Sequence, residues 1–273
     1  MEYRYKVKIT GNREVYLKEL TVEDYKNLQK TCIESDLSIF EDYIGNMISE
    51  LSDINMDELN ILDIYILVLE IKRYSVSGEK TFTTYVNGKR GGVEITIDEL
   101  IDPVIQKFDK LQNGGVYELE LDDFFVDSII FDPFSKNDVV KSYIKDGEVF
   151  GCDNISDLLP VYIKKQIDDK ISCVYKEFSN IVLFTLTTES GDENNICFNL
   201  NKNYIYDFLK VMIKDDLKSF YKNVFDMKSR LNIGFNEHQY MTISEMGIYI
   251  NMFNKEQEAE QEKERENKHP IPV

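Results

Sequence analysis

Tryptophan is missing from this chain, and alanine occurs once, at Ala259. Ile, Asn, Asp, Lys and Tyr fill the places those residues would take. The skew is that of an AT-rich coding sequence, since no packing rule forbids alanine. It weakens helix propensity as a guide, because the best helix former is all but missing. Histidine is scarce too: His238 and His269 are the only two. Neither neighbours a Ser or Cys in a recognisable nucleophile motif, so no triad can be drawn. The four cysteines, Cys32, Cys152, Cys173 and Cys197, form no C-x-x-C pair, and their spacing with the histidines excludes a zinc pattern. No apolar run approaches the ~20 residues of a membrane span. The nearest, Ile61 to Ile71, is interrupted by Asp63 and Glu70. The first ten residues alternate charge and apolarity, unlike a secretory signal. The thiols are therefore expected to be free and mostly buried in a reducing compartment.

What is present is a globular composition: 273 residues, 42% hydrophobic and 12% aromatic. Fifty Asp and Glu against 32 Lys and Arg give a net charge of −18. Such a surface repels phosphates and anionic lipid, which argues against nucleic acid as a partner and favours solubility. The Asp122-Asp123 pair and the Gly191 to Asn195 loop offer oxygen ligands, but neither fits the twelve-residue calcium loop. Asn87-Gly88-Lys89-Arg90-Gly91-Gly92 lacks the strand-loop-helix setting and the spacing of a phosphate loop. It reads as a loose hairpin tip, with Lys89 and Arg90 as candidate contact residues. No cofactor or metal set is recognisable, and no small-molecule ligand is expected.

The pattern predicts an α+β fold of hairpins alternating with helical segments, followed by a charged C-terminal tail. Residues 1–105 read as a hairpin, helices and a second hairpin. Tyr3–Ile9 and Val15–Leu20 pair across Gly11-Asn12. Thr21 caps a first helix, and Leu37, Phe40, Ile44, Met47, Ile48 and Leu51 mark a second. A third, about Ile61–Tyr74, is apolar nearly all round and so buried. Asp98 is read as capping a short helix that Asp102-Pro103 interrupts or restarts. Residues 106–203 form an atypical middle α+β region. In it, Val116–Leu121 and Phe124–Phe131 are strands, about 136–177 is helical with Pro160 in a first turn, and Ile181–Thr187 pairs with Asn195–Leu200. Residues 204–254 read as a helix-hairpin-helix element, with Asn203 and Ser244 as caps and Leu231–Phe235 pairing with Tyr240–Ile243. Ile250 and Phe253 of the closing helix are further candidate partner contacts. Residues 255–273 carry no apolar stripe and form a solvated helix or a disordered tail.

The order of segments carries a resemblance. Y-K-V-K-I-T-G-N-R-E-V-Y-L-K-E-L-T-V-E-D-Y-K-N-L, from Tyr5 to Leu28, resembles the opening of the baseplate hub family of T-even-like contractile-tailed bacteriophages. Ser52 to Lys80 is similar in its acidic lead-in and its helix, with Asp63, Ile64, Leu67, Ile71, Lys72-Arg73, Ser75 and Gly78 at the matching positions. Phe208 to Phe253 is similar more loosely. The resemblance covers about residues 3–105 and 204–253; the middle region does not match and the charged tail is extra. It implies a non-enzymatic role in building the central hub, as a structural subunit or a chaperone-like assembly factor. The partners implied are other baseplate or hub proteins, met in the host cytoplasm during assembly or in the tail baseplate of the virion. The family brings no catalytic residues. Two alternative readings stand beside it: an acidic phage hydrolase, and an acidic regulator of a host nucleic-acid-binding protein.

Overall fold

The computed structural model describes residues 4–86, 89–121, 126–137, 139–151, 159–188, 191, 193–230, 233–234, 237 and 239–268, with the backbone alone for 83–86, 89–91, 112, 217, 230 and 261–268. The chain opens with the predicted hairpin. Strands β1 (Tyr5–Lys8) and β2 (Glu14–Leu17) pair antiparallel with Val7 opposite Val15. Gly11 and Asn12 turn the chain at positive φ, the conformation that Gly and Asn tolerate best.

Helix α1 (Val22–Thr31) starts at Thr21, whose hydroxyl accepts from the Asp24 N–H while the Asp24 carboxylate accepts from the Thr21 N–H. This reciprocal cap satisfies two otherwise orphaned donors. Helix α2 (Leu37–Leu51) buries Phe40, Ile44, Met47, Ile48 and Leu51 on one face. Helix α3 (Ile61–Ser75) has every residue from Ile61 to Lys72 buried, so it is the central helix. Its buried Asp63 is fully engaged. It accepts from the Thr10 N–H at 3.1 Å, the Thr10 hydroxyl at 2.6 Å, the Asn60 N–H at 3.0 Å, and the Arg13 guanidinium. A buried carboxylate is tolerable only with such partners. This one pins the first hairpin to the start of α3.

Strands β3 (Glu79–Val86) and β4 (Lys89–Thr96) form a longer hairpin than the sequence suggested. Residues 89–92 belong to β4: Lys89 is opposite Val86 and Arg90 opposite Tyr85, while Gly91 and Gly92 also pair with Thr188 and Thr187. The two glycines are thus sheet interior rather than loop tip. A Cβ at Gly92 would stand 3.3 Å from the Phe82 carbonyl oxygen, so the close approach explains the glycine. Helix α4 (Ile97–Phe108) follows directly. Thr96, not Asp98, is its cap, in a capping box with Glu99, and Pro103 lies inside the helix without ending it.

The middle region departs most from the reading above. Strands β5 (Tyr117–Glu120) and β6 (Ser128–Phe131) are present. The expected helix from about 136 is instead β7 (Val140–Lys145) paired with β8 (Glu148–Gly151). Asp146 and Gly147, at φ 51° and 77°, make the tight turn that the Asp-Gly pair favours. Helix α5 then runs from Val161 to Phe178, with Pro160 at its N-cap rather than in its first turn. Strands β9 (Val182–Thr188) and β10 (Glu193–Cys197) form the expected hairpin.

Asn201 rather than Asn203 caps α6 (Lys202–Ile213), and residues 214–216 separate it from α7 (Leu217–Arg230). The hairpin expected at 231–243 is not seen among the described residues there. Gln239 is helical, Tyr240 is a turn, and Thr242 makes a single bridge to Thr21. Thr242, not Ser244, caps α8 (Ile243–Lys268) through reciprocal bonds with Glu245. Among the described residues the element from 204 thus holds three helices and no hairpin, and the charged tail continues as helix to Lys268.

Eight helices and ten strands in three antiparallel sheets among the described residues make an α+β fold. The sheets run β1-β2, β10-β9-β4-β3 and β5-β6-β7-β8. One hydrophobic cluster extends from Val7 to Met246 and joins α1–α4 to α6, α7 and the start of α8. A smaller one joins Ile129, Phe131 and Val140 of the third sheet to Leu159, Ile163 and Ile167 beside and on α5. Among the described residues, no helix is long and apolar enough to cross a membrane.

Candidate partner-binding groove

Helix α6 has two apolar stripes. Ile205, Tyr206, Leu209, Met212 and Ile213 are buried, and the helix packs on α2 and α3. Tyr204, Phe208 and Val211 lie at i, i+4 and i+7 on its flank, with Asp207 among them. Asn201 sets the helix start, its side-chain oxygen accepting from the N–H groups of Asn203 and Tyr204 at 3.0 and 3.3 Å. The flank faces side chains from the second sheet: Phe82 on β3, Phe184 and Leu186 on β9, and Ile196 on β10. Phe82 and Phe184 stack, with ring centroids 5.6 Å apart and planes 4° from parallel.

Between helix and sheet lies an open groove of about 470 Å³. Its walls are almost wholly apolar. Among the described residues Asp207 is the one charged residue lining it, and Tyr204 brings a hydroxyl three residues away on the same helix. Val211 is 55% exposed at its rim and Tyr204 38%. A volume of this size, with few polar groups, is that of a binding site for apolar side chains or a small apolar molecule. Among the described residues strand β10 is an edge strand beside it, pairing only with β9.

Two polar clusters lie elsewhere. Asp215, between α6 and α7, accepts from the Tyr25 hydroxyl at 2.6 Å and from Lys80 Nζ at 2.8 Å, with Lys72 Nζ at 3.9 Å. Burial lowers the pKa of Lys72, which the Asp215 charge partly opposes. Gln29 donates to the Ile213 carbonyl and accepts from the Asp215 N–H, both at 2.9 Å. The arrangement ties the α6–α7 link to α1, α3 and β3. The second cluster lines a polar cleft of about 200 Å³ with Asp57, Glu58, Asp132, Lys136 and Lys141. Burial raises the Asp132 pKa, and the bond from the Phe134 N–H opposes that. Among the described residues, no group of three or more His, Cys, Asp or Glu is placed to hold a metal ion.

The candidate residues read from sequence are not brought together. Lys89 and Arg90 sit at the start of β4, and their side chains lie outside the described residues. Ile250 and Phe253 are half-buried and line a cleft of about 110 Å³ with Lys222, Asn223, Asp226 and Met227 of α7. The outward face of α8 shows Ile248, Tyr249 and Met252 instead. His238, His269, Cys152, Asp122-Asp123 and Asp192 lie outside the described residues. The three described cysteines are free: Cys32 is buried, and burial pushes its thiol up to about 12; Cys197 is half-buried; Cys173 is exposed, against expectation. The groove itself was not anticipated. Its one linear signal is the second apolar stripe of α6.

The fold and groove define a class: an α+β protein with an open apolar cleft between a helix and a four-stranded sheet. Searched against models of known protein families, against curated proteins and against solved structures, the chain gives no match.

Proposed function

We propose that this chain is a non-enzymatic assembly protein of a contractile phage tail that acts on the baseplate hub by protein–protein contact. The observation that carries the binding role is the open groove between α6 and the second sheet, whose described lining is apolar except for Asp207 and the Tyr204 hydroxyl. Exposing such a surface costs solubility, and proteins retain one where a partner covers it. The sequence resemblance at residues 3–105 and 204–253 supplies the hub as the assembly concerned. The occupant that fits is a segment of a hub protein bearing bulky apolar anchors and a Lys or Arg to meet Asp207. A charge of −18 favours a basic partner and keeps free copies apart through self-repulsion. An extended segment could add to the free edge of β10 while its alternate side chains enter the groove.

The test is to tag the chain in cells where tails are assembling, purify it under native conditions, and identify what comes with it by mass spectrometry. Baseplate hub proteins are the expected companions. If no tail component co-purifies and infection proceeds normally without the chain, the reading is wrong.

A further inference from the structure

We propose that α7 and α8 together form a self-association surface on which two copies of this chain pair about a two-fold axis. The argument starts from α7. Lys218, Tyr221, Lys222, Phe225, Lys228 and Ser229 are all exposed and fall at i, i+3, i+4, i+7, i+10 and i+11, a single stripe on the outer side of the helix. Phe225 is 64% exposed and Tyr221 46%. Four basic residues (Lys218, Lys222, Lys228, Arg230) against one acidic (Asp226) make this helix cationic within a chain of charge −18. The stripe is therefore aromatic and positive at once.

Helix α8 offers the complement. Its inner side places Met246 in the core and Ile250 against it. Its outer side presents Ile248, Tyr249 and Met252, exposed at 59%, 44% and 57%. The same face continues one and two turns later into Glu256 and Glu260, both exposed. From Lys255 to Lys268 the sequence carries six Glu against four Lys and Arg. The stripe from Tyr249 to Glu260 and the stripe from Lys218 to Ser229 each span twelve residues, about 16 Å of helix from first to last. One is apolar and then acidic; the other is aromatic and basic. Among the described residues no ion pair joins Lys218, Lys222 or Lys228 to Glu256, Glu258 or Glu260 within a chain.

A surface carrying both halves of a complementary pair is satisfied by a second copy of itself. An isologous arrangement sets α7 of each protomer against α8 of the other, so the contact is made twice and closes. The apolar side chains supply the buried centre, and the Lys–Glu pairs form a rim that fixes orientation. The inference does not depend on the hub reading: the groove lies on α6 and leaves the α7 stripe free.

The experiment is sedimentation velocity on the full chain from about 1 to about 100 µM. A species of twice 32.0 kDa should form as concentration rises, and added salt should weaken it. Two charge-reversed variants make the decisive arm. One carries Lys218→Glu, Lys222→Glu and Lys228→Glu; the other carries Glu256→Lys and Glu260→Lys. All five positions are exposed, and circular dichroism checks that each variant is folded. Each alone should lose dimerisation by roughly tenfold or more, because like charges then face one another. Mixed, they should form a heterodimer, since each reversed helix meets a helix of opposite sign. A chain that stays monomeric at the highest concentration overturns the proposal. So does a pair of variants that dimerise alone as well as the wild type, or that fail to associate when mixed.

Discussion

Replacing Glu70 with Gln should stabilise this protein at neutral and alkaline pH and leave it unchanged in mild acid. Glu70 is 7% exposed on the central helix α3, and its Oε2 has no hydrogen-bond partner. Oε1 is 3.5 Å from the Arg73 guanidinium, but Arg73 is shared with Asp98. Burial pushes the Glu70 carboxyl up to about 7, against an ordinary 4.5, with Arg73 opposing and Asp98 and Asp102 adding to the rise. Between about pH 4.5 and about pH 7 the folded chain therefore holds a proton that the unfolded chain has released. Stability from this group is complete below about pH 4.5 and is lost as pH rises toward and through about 7. A displacement of about 2.5 at ~1.4 kcal/mol per pH unit sets an upper bound of about 3 kcal/mol. Gln keeps the shape and never ionises, but gives up the Arg73 attraction. The net gain at about pH 8 should be about 1–2 kcal/mol, shrinking to near zero at about pH 5. Urea denaturation of both proteins across that range measures it. A difference between the two that does not change with pH would refute the reasoning.

Gly115→Ala should cost about 2–4 kcal/mol, because a Cβ there meets strained backbone and an occupied site. Gly115 sits at φ +82° and its Cβ would stand 2.7 Å from the buried Phe134 ring; chemical denaturation reads the loss, and a change below about 1 kcal/mol would show that the Phe134 ring can move aside. Asp63→Ala leaves Thr10, Asn60 and Arg13 without their common acceptor, and should cost about 3–5 kcal/mol in the same assay. Stopping the chain after Asn254 removes residues of which, up to Glu260, only Gln257 is even half-buried. At concentrations low enough to keep the chain monomeric, the Tm should stay within about 5 °C of the full-length value by calorimetry, and a larger fall would mean that the distal part of α8 packs on the body.

The first three helices were legible by different signals: Thr21 read as a cap and does cap α1 with Asp24, α2 carries one 3.6-residue apolar stripe, and α3 is apolar nearly all round. The caps at Asp36 and Asn60 were not read from the sequence. The hairpin β7–β8 was not, because Val140 to Gly151 mixes Lys, Tyr and Asp with few apolar residues; only the Asp146-Gly147 turn separates the two readings. Gly91 and Gly92 misled in the opposite direction. Glycines commonly mark a loop, yet here they let β4 run close between β3 and β9, a tertiary need invisible locally. The groove was hidden for a similar reason. Phe82, Phe184, Ile196 and Tyr204 belong to four elements that meet only once the second sheet has formed. Ile250 and Phe253 were picked out by apolarity, but helical phase turns them toward α7 and turns Tyr249 and Met252 outward.

The central claim, that this chain works by receiving a partner segment in the α6 groove, is tested most directly with Val211→Asp. Val211 is 55% exposed at the groove rim, so the substitution should leave the Tm unchanged while placing a second carboxylate in an apolar wall. Wild type and variant are purified side by side from cells assembling tails, and the co-purifying hub proteins are quantified by mass spectrometry. The account predicts that the folded variant loses them, with the weakening of about 1–3 kcal/mol, roughly 5- to 150-fold, that an interface anchor carries. Recovery of the same proteins in the same amounts with Val211→Asp as with the wild type would contradict it.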